Sequence, residues 1–350
     1  MNRIILNGGN RSIIQNKKAG INMGAGNWSK KSYTHATSTR ASKGESTFSN
    51  TRGIHTLLDP KKLNAAGENI RECLITDEHP NALPIAVMFD ETGSMGSVPK
   101  VLMEKLPNLH SLLQKYVDDP QLLFGAIGDA RNGERAPLQV GQFESDNRMD
   151  ETLRNIYLEG AGGGGNHETY ELAAYYLARH TRLDINNKGG KGFAFIIGDE
   201  RTYRHVTKDI IKKYIGDDVP EDIPSEQIFK ELRKKYNAYF IFIKRPYGYD
   251  EDDTIRPENS DSIALTWSHV MGQNIIVLDE PEAVCETIAG VLAMYEGDID
   301  TATFASDLSA VNTDIKAIES VTAALSTVKV SNALATTDGK LPSGNGVKRL

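Results

Sequence analysis

The sequence predicts an α/β protein with a doubly wound, mostly parallel central sheet flanked by helices, an extended N-terminal arm and a C-terminal helix. Two observations support this fold class. Short apolar runs that end in an acidic residue are typical of buried parallel strands, and they alternate with segments whose apolar residues recur at helical spacing. In sheets of this kind ligands bind at the carboxyl ends of the strands, so function is expected at that edge.

The chain before the sheet is predicted to form two segments. Residues 1–52 are rich in Asn, Gly, Ser, Thr and Lys and show no sustained hydrophobic period, which indicates a basic, flexible arm. Residues 53–79 are predicted to be a lead-in helix. Asp59 and Pro60 resemble a helix start, and Leu63, Ala66, Ile70 and Leu74 follow on one face.

Residues 80–296 are predicted to form the α/β domain. A proline at position 107 lies inside the first predicted helix and is expected to kink or split it. Strands are predicted at 84–90, 122–128, 138–143, 192–198, 238–244 and 274–278, and helices at 99–116, 149–158, 169–181, 225–236 and 281–295.

The chain after this domain is predicted to form one amphipathic helix, residues 297–330, and a flexible tail, residues 331–350. Apolar residues from Phe304 to Val328 recur at intervals of three, four and once seven, as on the apolar seam of a coiled coil. Because many intervening residues are small, two alternatives stay open: the helix packs on the domain or pairs with a partner helix.

Composition restricts the class of protein. The 350 residues carry a net charge of −7, yet residues 1–50 hold eight basic residues and a single acid, Glu45, so the arm carries +7 and the remainder −14. No run approaches the roughly 18 apolar residues of a membrane span. Two distant cysteines, Cys73 and Cys285, exclude a disulfide scaffold and a zinc module. We therefore expect a cytoplasmic protein with no membrane contact.

The sharpest local motif follows the first predicted strand. Asp90, Thr92 and Ser94 place three oxygen side chains at alternate positions of a glycine-containing loop, where they can converge on one hard cation. Asp90 would supply negative charge and the two hydroxyls neutral ligands. A cation held in this way stays under-neutralised and would attract an acidic group from outside.

This D-x-[ST]-x-S pattern resembles the metal-ion-dependent adhesion site (MIDAS) of the von Willebrand factor A (vWA) domain. The resemblance covers about 215 residues and implies two further ligands. One is an Asp at the end of a later central strand, which corresponds to Asp199 after the apolar run 193–198. The other is a Thr on a second loop, where this chain has four glycines at 162–165 followed by Asn166 and, three positions later, Thr169. Either residue could take that place, and Thr169 is slightly favoured.

The resemblance implies a non-catalytic protein that binds a partner through Mg²⁺, with Mn²⁺ or Ca²⁺ as alternatives. A Glu or Asp of the partner would complete the coordination shell of the metal. Intracellular bacterial vWA proteins often act as adaptors of MoxR-like AAA+ ATPases, and similar compact vWA proteins look to be encoded by bacteriophages. A degenerate, metal-free vWA domain is the main alternative at the site.

Two other classes of function compete with the adaptor. One is a structural or virion-associated assembly protein that self-associates through the arm and the C-terminal helix. The other, less favoured, is a metal-dependent phosphohydrolase. Haloacid-dehalogenase phosphatases carry a second Asp two positions after the nucleophile, where this chain has Thr92, and no phosphate-binding Gly-Lys-Ser/Thr follows the glycine run. The low density of basic residues in the arm favours docking or self-assembly over nucleic-acid binding.

Overall fold

The computed structural model describes residues 27–48, 50, 52–95, 97–159, 167–244 and 263–328, except for the side chains of residues 94 and 264. Most of the predicted arm, the glycine run at 162–165, Asn166 and the predicted tail therefore lie outside the described residues. Within them the fold is α/β, as predicted.

The strands are, in chain order, β1 to β12: Arg71–Cys73, Leu83–Asp90, Pro120–Ile127, Leu138–Val140, His167–Glu168, Thr181–Leu183, Gly192–Gly198, Arg201–Thr202, His205–Val206, Ile223–Pro224, Tyr236–Ile243 and Ile275–Leu278. The helices are α1 to α11: Lys30–Ser42, Val98–Tyr116, Arg148–Arg154, Tyr170–Arg179, Asp184–Asn187, Lys208–Tyr214, Ser225–Lys235, Ile263–Met271, Val284–Glu296, Thr301–Ala310 and Ile315–Leu325. No helix among these is long and apolar enough to cross a membrane.

Six of these strands form the central sheet, in the order β12-β11-β7-β2-β3-β4. Every neighbouring pair is parallel except β3 and β4. The strands predicted from apolar runs are therefore confirmed. Because β2, β3, β7 and β11 run in the same direction, their carboxyl ends meet at one edge of the sheet.

Side chains alternate between the two faces of the sheet. On β2, Ile85 and Val87 belong to one buried apolar cluster, while Ala86 and Met88 belong to the other. Helices α2 and α9 cover the first face, and α4, α7 and α8 cover the second. Both faces are thus buried, which explains why these strands are continuous apolar runs rather than alternating ones.

The predicted lead-in helix at 53–79 is wrong. The segment consists of turns and the short strand β1. Side chains take the backbone donors that a helix would use: the Asp59 carboxylate accepts from the Lys61 N–H, and the Asn64 side chain accepts from the Ala66 and Glu68 N–H groups. Such local hydrogen bonds compete with helix formation.

Part of the predicted arm is structured. Helix α1 packs against α2 through Tyr33, whose hydroxyl donates to the Met103 carbonyl at 2.7 Å, and Arg40 pairs with Asp150 at 3.1 Å. The Trp28 ring lies 4.9 Å from the His110 ring. The prediction of a free arm is therefore wrong for residues 27–48, because two buried aromatic side chains anchor them to the domain.

Helix α2 is continuous through Pro107, so the proline does not split it. The predicted helix at 297–330 is instead a pair, α10 and α11, separated by a turn in which Asn312 has a φ of 58° and Asp314 caps the second helix. Phe304 and Leu325 are buried, and both lie against Gly290 of α9. The pair packs on the domain, which is one of the two predicted alternatives, the other being pairing with a partner helix.

Arg71 joins the 53–79 segment to the rest of the domain. It is 1 % exposed, and its guanidinium donates to the carbonyl oxygens of Gly141, Lys62 and Asp59 at 3.1, 2.9 and 2.8 Å. When this buried charged donor is removed, the carbonyl groups of Gly141 and Lys62 lose its hydrogen bonds, whereas the carbonyl of Asp59 still accepts from the Lys62 N–H at 2.9 Å.

We therefore expect Arg71→Met to lower the free energy of unfolding by about 3 kcal/mol or more, as measured by urea denaturation. Arg182→Met is the matched control, because Arg182 makes its ion pairs with Glu68 and Glu72 at the surface. That change is expected to cost less than about 1 kcal/mol. Equal losses in the two variants would contradict the structural role given to Arg71.

Candidate metal centre

Asp90 and Asp199 lie at the carboxyl ends of the two adjacent central strands. In the parallel pair of β2 and β7, Phe89 is opposite Ile197, so Asp90, the last residue of β2, lies opposite Gly198, and Asp199 directly follows that glycine. Neighbouring strands are about 4.8 Å apart. Asp90 is 0 % and Asp199 3 % exposed. The structure therefore brings these two predicted ligands together in a buried position.

The Asp90 carboxylate is held from both sides. Its Oδ1 accepts hydrogen bonds from the backbone N–H of Thr92, at 2.8 Å, and from the Thr92 hydroxyl, at 2.7 Å. Its Oδ2 accepts from the Tyr170 hydroxyl at 2.8 Å. Thr92, the second predicted ligand, is therefore in contact with the first.

Thr169 is buried at the N-terminus of α4, beside the end of β3. Its hydroxyl donates to the Gly128 carbonyl at 2.5 Å and accepts from the Ala130 N–H at 3.2 Å. The structure therefore places Thr169 at the same edge as Asp90, and its assignment as a ligand stays a prediction.

The two remaining predicted ligands cannot be located. The backbone of Ser94 lies in a short 3₁₀ helix, Gly93–Met95, but its side chain is outside what the structure describes. Asn166 also lies outside the described residues. The choice between Asn166 and Thr169 therefore stays a prediction.

Tyr170 is a residue of the site that the sequence reasoning missed. Its ring is fully buried, and its hydroxyl lies so close to Gly198 that a β carbon at Gly198 would be 2.1 Å from it. The glycine directly before Asp199 is therefore required by this contact. That glycine, at the end of an otherwise bulky strand, is the sequence signal that could have indicated a close neighbour.

Several further acids surround the two Asp residues, and these were also missed. Glu91 and Glu168 are 2 % and 6 % exposed, and each has one carboxylate oxygen that makes no hydrogen bond. The other oxygen of Glu91 accepts from the Glu159 N–H at 2.5 Å. Glu171 and Glu200 are buried nearby. Their signal in the sequence is position, since each lies within two residues of a predicted ligand.

Burial, and after it the neighbouring charge of Asp199, raises the pKa of Asp90 to about 7. Burial is also the largest cause at three other acids: the pKa of Glu171 rises to about 8, that of Glu91 to about 9 and that of Glu168 to about 11. The edge of the sheet therefore resists the accumulation of negative charge, which a bound cation would relieve.

The chemistry of the donors fits a hard divalent cation. Carboxylates and hydroxyls are oxygen ligands of the kind that Mg²⁺ prefers, and the carboxylates of Asp90 and Asp199 would match the charge of the ion. Across the described part of the chain, no group of three or more His, Cys, Asp or Glu side chains is arranged to hold a metal. A site here would therefore depend on hydroxyl ligands and water beside Asp90 and Asp199.

Comparison with known proteins gives only distant similarity. No profile of a known protein family matches the chain, and no curated protein matches it. The pilus adhesin SpaC from Lactobacillus rhamnosus GG, in an open conformation, is 11% identical with a TM-score of 0.40, over 61% of this chain and 30% of that chain. Proximal thread matrix protein 1 from the mussel byssus is 9% identical with a TM-score of 0.36, over 61% and 46%.

The mussel protein has also been solved with a zinc-occupied MIDAS motif, and this structure is 7% identical with a TM-score of 0.35. The chain spans less than half the length of the structures it matches. Identity at this level establishes neither a family nor a function.

The raised pKa of Asp90 predicts how stability depends on pH in EDTA. The folded state holds its proton up to about pH 7, whereas the unfolded chain releases it near 3.8, so stability falls as the pH rises between these values. The slope is at most about 1.4 kcal/mol per pH unit for one group. Asp90→Asn removes the cost of ionising this buried carboxyl group, so we expect the variant to have a higher Tm than the wild type in EDTA at pH 8.

The same Tm measurement is then made in Mg²⁺. Mg²⁺ should raise the Tm of the wild type more at pH 8 than at pH 5, because protons compete with the cation for Asp90. Mg²⁺ should not raise the Tm of Asp90→Asn. Asp118→Asn changes an exposed acid and is expected to behave as the wild type. A lower Tm for Asp90→Asn in EDTA at pH 8 would contradict the electrostatic description of the site.

Proposed function

We propose that this chain is a non-catalytic, vWA-type protein that binds a protein partner through a divalent cation, Mg²⁺ in the cell. The observation that carries the proposal is the pair of buried carboxylates, Asp90 and Asp199, at the ends of adjacent parallel strands, with the Thr92 hydroxyl in contact with Asp90. Thr169 lies at the same edge. These groups hold the cation on one side and leave its other side to water.

Completion of the coordination shell is the proposed binding mechanism. Mg²⁺ prefers six oxygen ligands and keeps water where the protein supplies none, so a partner carboxylate can replace one water molecule. Each carboxylate of the site neutralises one charge of the cation, and hydroxyl ligands add none. A MoxR-like AAA+ ATPase is the partner that the sequence resemblance suggests, with this chain as its adaptor.

The chemistry of the site gives no support to phosphoryl transfer. A phosphatase of the haloacid-dehalogenase type needs a proton donor two residues after its nucleophile, and Thr92 at that position donates its hydroxyl proton to Asp90 instead. The raised pKa of Asp90 also makes it a poor nucleophile below about pH 7. We therefore propose a binding function and no turnover.

The test is capture of the partner by the immobilised full-length chain from a lysate of the source organism, with identification by mass spectrometry. Partner recovery should fall by about tenfold or more in EDTA, and equally with Asp90→Ala in Mg²⁺, since one cation-mediated contact at the centre of an interface dominates its affinity. Asp118→Ala, at an exposed acid, should capture as the wild type does.

Two results would refute this proposal. Capture that survives both EDTA and Asp90→Ala would exclude the metal mechanism. Magnesium-dependent phosphatase or ATPase turnover by the purified chain, abolished by Asp90→Asn, would establish an enzyme instead.

An assembly protein is the second candidate, and one observation favours it. Val311 and Ile315, at the turn between α10 and α11, are 59 % and 68 % exposed although both are large and apolar. Exposed apolar side chains that lie close together are typical of contacts between proteins. This turn could therefore join copies of the chain, in a virion or elsewhere.

If copies associate through this turn, Val311→Lys with Ile315→Lys should convert an oligomer to a monomer, because each lysine brings a charge into an apolar contact. Light scattering coupled to size-exclusion chromatography gives the mass. The matched control is Ser309→Lys with Lys316→Gln, which leaves both apolar residues in place. A wild-type chain that is already monomeric at micromolar concentration would exclude assembly through this turn.

A further inference from the structure

A cleft lies beside the candidate metal centre, between α8 on one side and the segment from β8 to β9 on the other. Its volume is about 420 Å³, which is enough for one or two amino-acid side chains. Tyr203, Leu265, Thr266 and Val270 form its less polar lining. None of the residues that line this cleft belongs to the predicted metal ligands.

The cleft and the metal centre share one short stretch of backbone. Asp199 directly follows the strand β7, and Thr202, which lines the cleft, comes three residues later. Three residues of fully extended chain span at most about 11 Å. A peptide of similar length can therefore reach from a cation at Asp199 into the cleft.

One wall of the cleft is fixed by Tyr203. Its hydroxyl donates to the Asp129 carboxylate at 2.8 Å, the Arg131 guanidinium lies 3.9 Å from the centre of its ring, and the His167 ring stacks on it at 4.9 Å. Because Asp129 and His167 belong to the loops around the metal centre, this wall is positioned by the same elements that position the ligands.

The other wall is helix α8, which is attached to the metal centre through Trp267. The indole N–H donates to the Glu200 carbonyl at 2.9 Å, and the indole ring contacts the Tyr170 ring edge-on at 5.2 Å. Tyr170 in turn donates to Asp90. Both walls are therefore built before a ligand arrives, which reduces the entropy lost on binding.

The lining of the cleft indicates the class of ligand. Arg204 and Glu226, both exposed at its rim, carry opposite charges that balance. The cleft itself therefore selects no charge, and its less polar lining suits one bulky apolar side chain, whereas an acidic residue is attracted by the cation at Asp90 and Asp199.

We propose that this cleft receives a bulky apolar side chain of the partner protein, from an extended segment whose acidic residue, about two to four positions away, completes the cation shell at Asp90 and Asp199. The inference rests on the proposed function and adds to it a recognition pattern, an acidic residue and an apolar residue at fixed spacing. Cation and cleft then provide one continuous binding surface.

The experiment is a selection of random displayed peptides on the immobilised full-length chain in Mg²⁺, with elution by acid so that metal dependence is not imposed. The selected peptides should contain an acidic residue two to four positions from an aromatic or large aliphatic one. The affinity of a synthetic selected peptide is then measured by fluorescence polarisation.

Thr266→Trp fills the cleft and should weaken binding of that peptide by about tenfold or more, whereas the increase of Tm in Mg²⁺ should stay as in the wild type. Ser268→Trp places the same side chain on the exposed part of α8 and should change the affinity by less than about twofold. Replacing the apolar residue of the peptide by Ala should reproduce the effect of Thr266→Trp.

Failure of this inference is distinguishable from failure of the proposed function. Peptides that need Mg²⁺ and Asp90 but bind Thr266→Trp normally would overturn the cleft and leave the metal mechanism intact. Peptides that respond to Thr266→Trp but bind equally in EDTA would overturn the metal mechanism. A selection that returns no peptide, or peptides without the apolar residue, would overturn the recognition pattern.

Discussion

The repulsion between Asp90 and Asp199 is the constraint on which the rest of the site depends. Parallel strands bring their carboxyl ends to one edge, and because Asp90 on β2 lies opposite Gly198 on β7, the strand spacing of about 4.8 Å places Asp199 close to Asp90. Both are buried, so water cannot screen them. Hydrogen bonds from Thr92 and Tyr170 stabilise the Asp90 carboxylate. Burial and the charge of Asp199 outweigh them and raise the pKa of Asp90 to about 7.

The apolar layers make this unfavourable edge tolerable. Both faces of the sheet are covered by helices, so the strands that carry the acids are anchored by side chains such as Phe89 and Ile197. Tyr170 extends this support into the site itself, since its ring packs edge-on against Trp267 and Phe240 and only its hydroxyl reaches Asp90. The apolar core therefore stabilises the folded state, whereas the buried acids at the edge of the sheet destabilise it. This division is typical of binding sites.

The sequence was sufficient for the sheet and for the positions of the paired acids, because both follow from local pattern. A buried strand is a continuous apolar run, and the residue after it must lie at the edge. The contacts of Tyr170 with Asp90 and of Tyr33 with Met103 join residues about 70 to 80 positions apart, and no local pattern encodes them. The helix predicted at 53–79 is absent for another reason. The apolar residues have helical spacing, but the side chains of Asp59 and Asn64 accept hydrogen bonds from backbone N–H groups that a helix would use.

The repulsion between the buried carboxylates of Asp90 and Asp199 can be relieved either by a bound proton or by a bound cation. A buried carboxylate with a raised pKa is neutral when protonated, and it is stabilised as an anion only by a nearby positive charge. A divalent ion bound by Asp90 and Asp199 would be matched in formal charge by these two acids, and its remaining ligands would be neutral hydroxyls and water. Burial raises the pKa of Glu91 to about 9 and that of Glu168 to about 11, so before an ion binds these two acids add no charge to the edge at neutral pH. A partner carboxylate would then replace one water ligand of the ion.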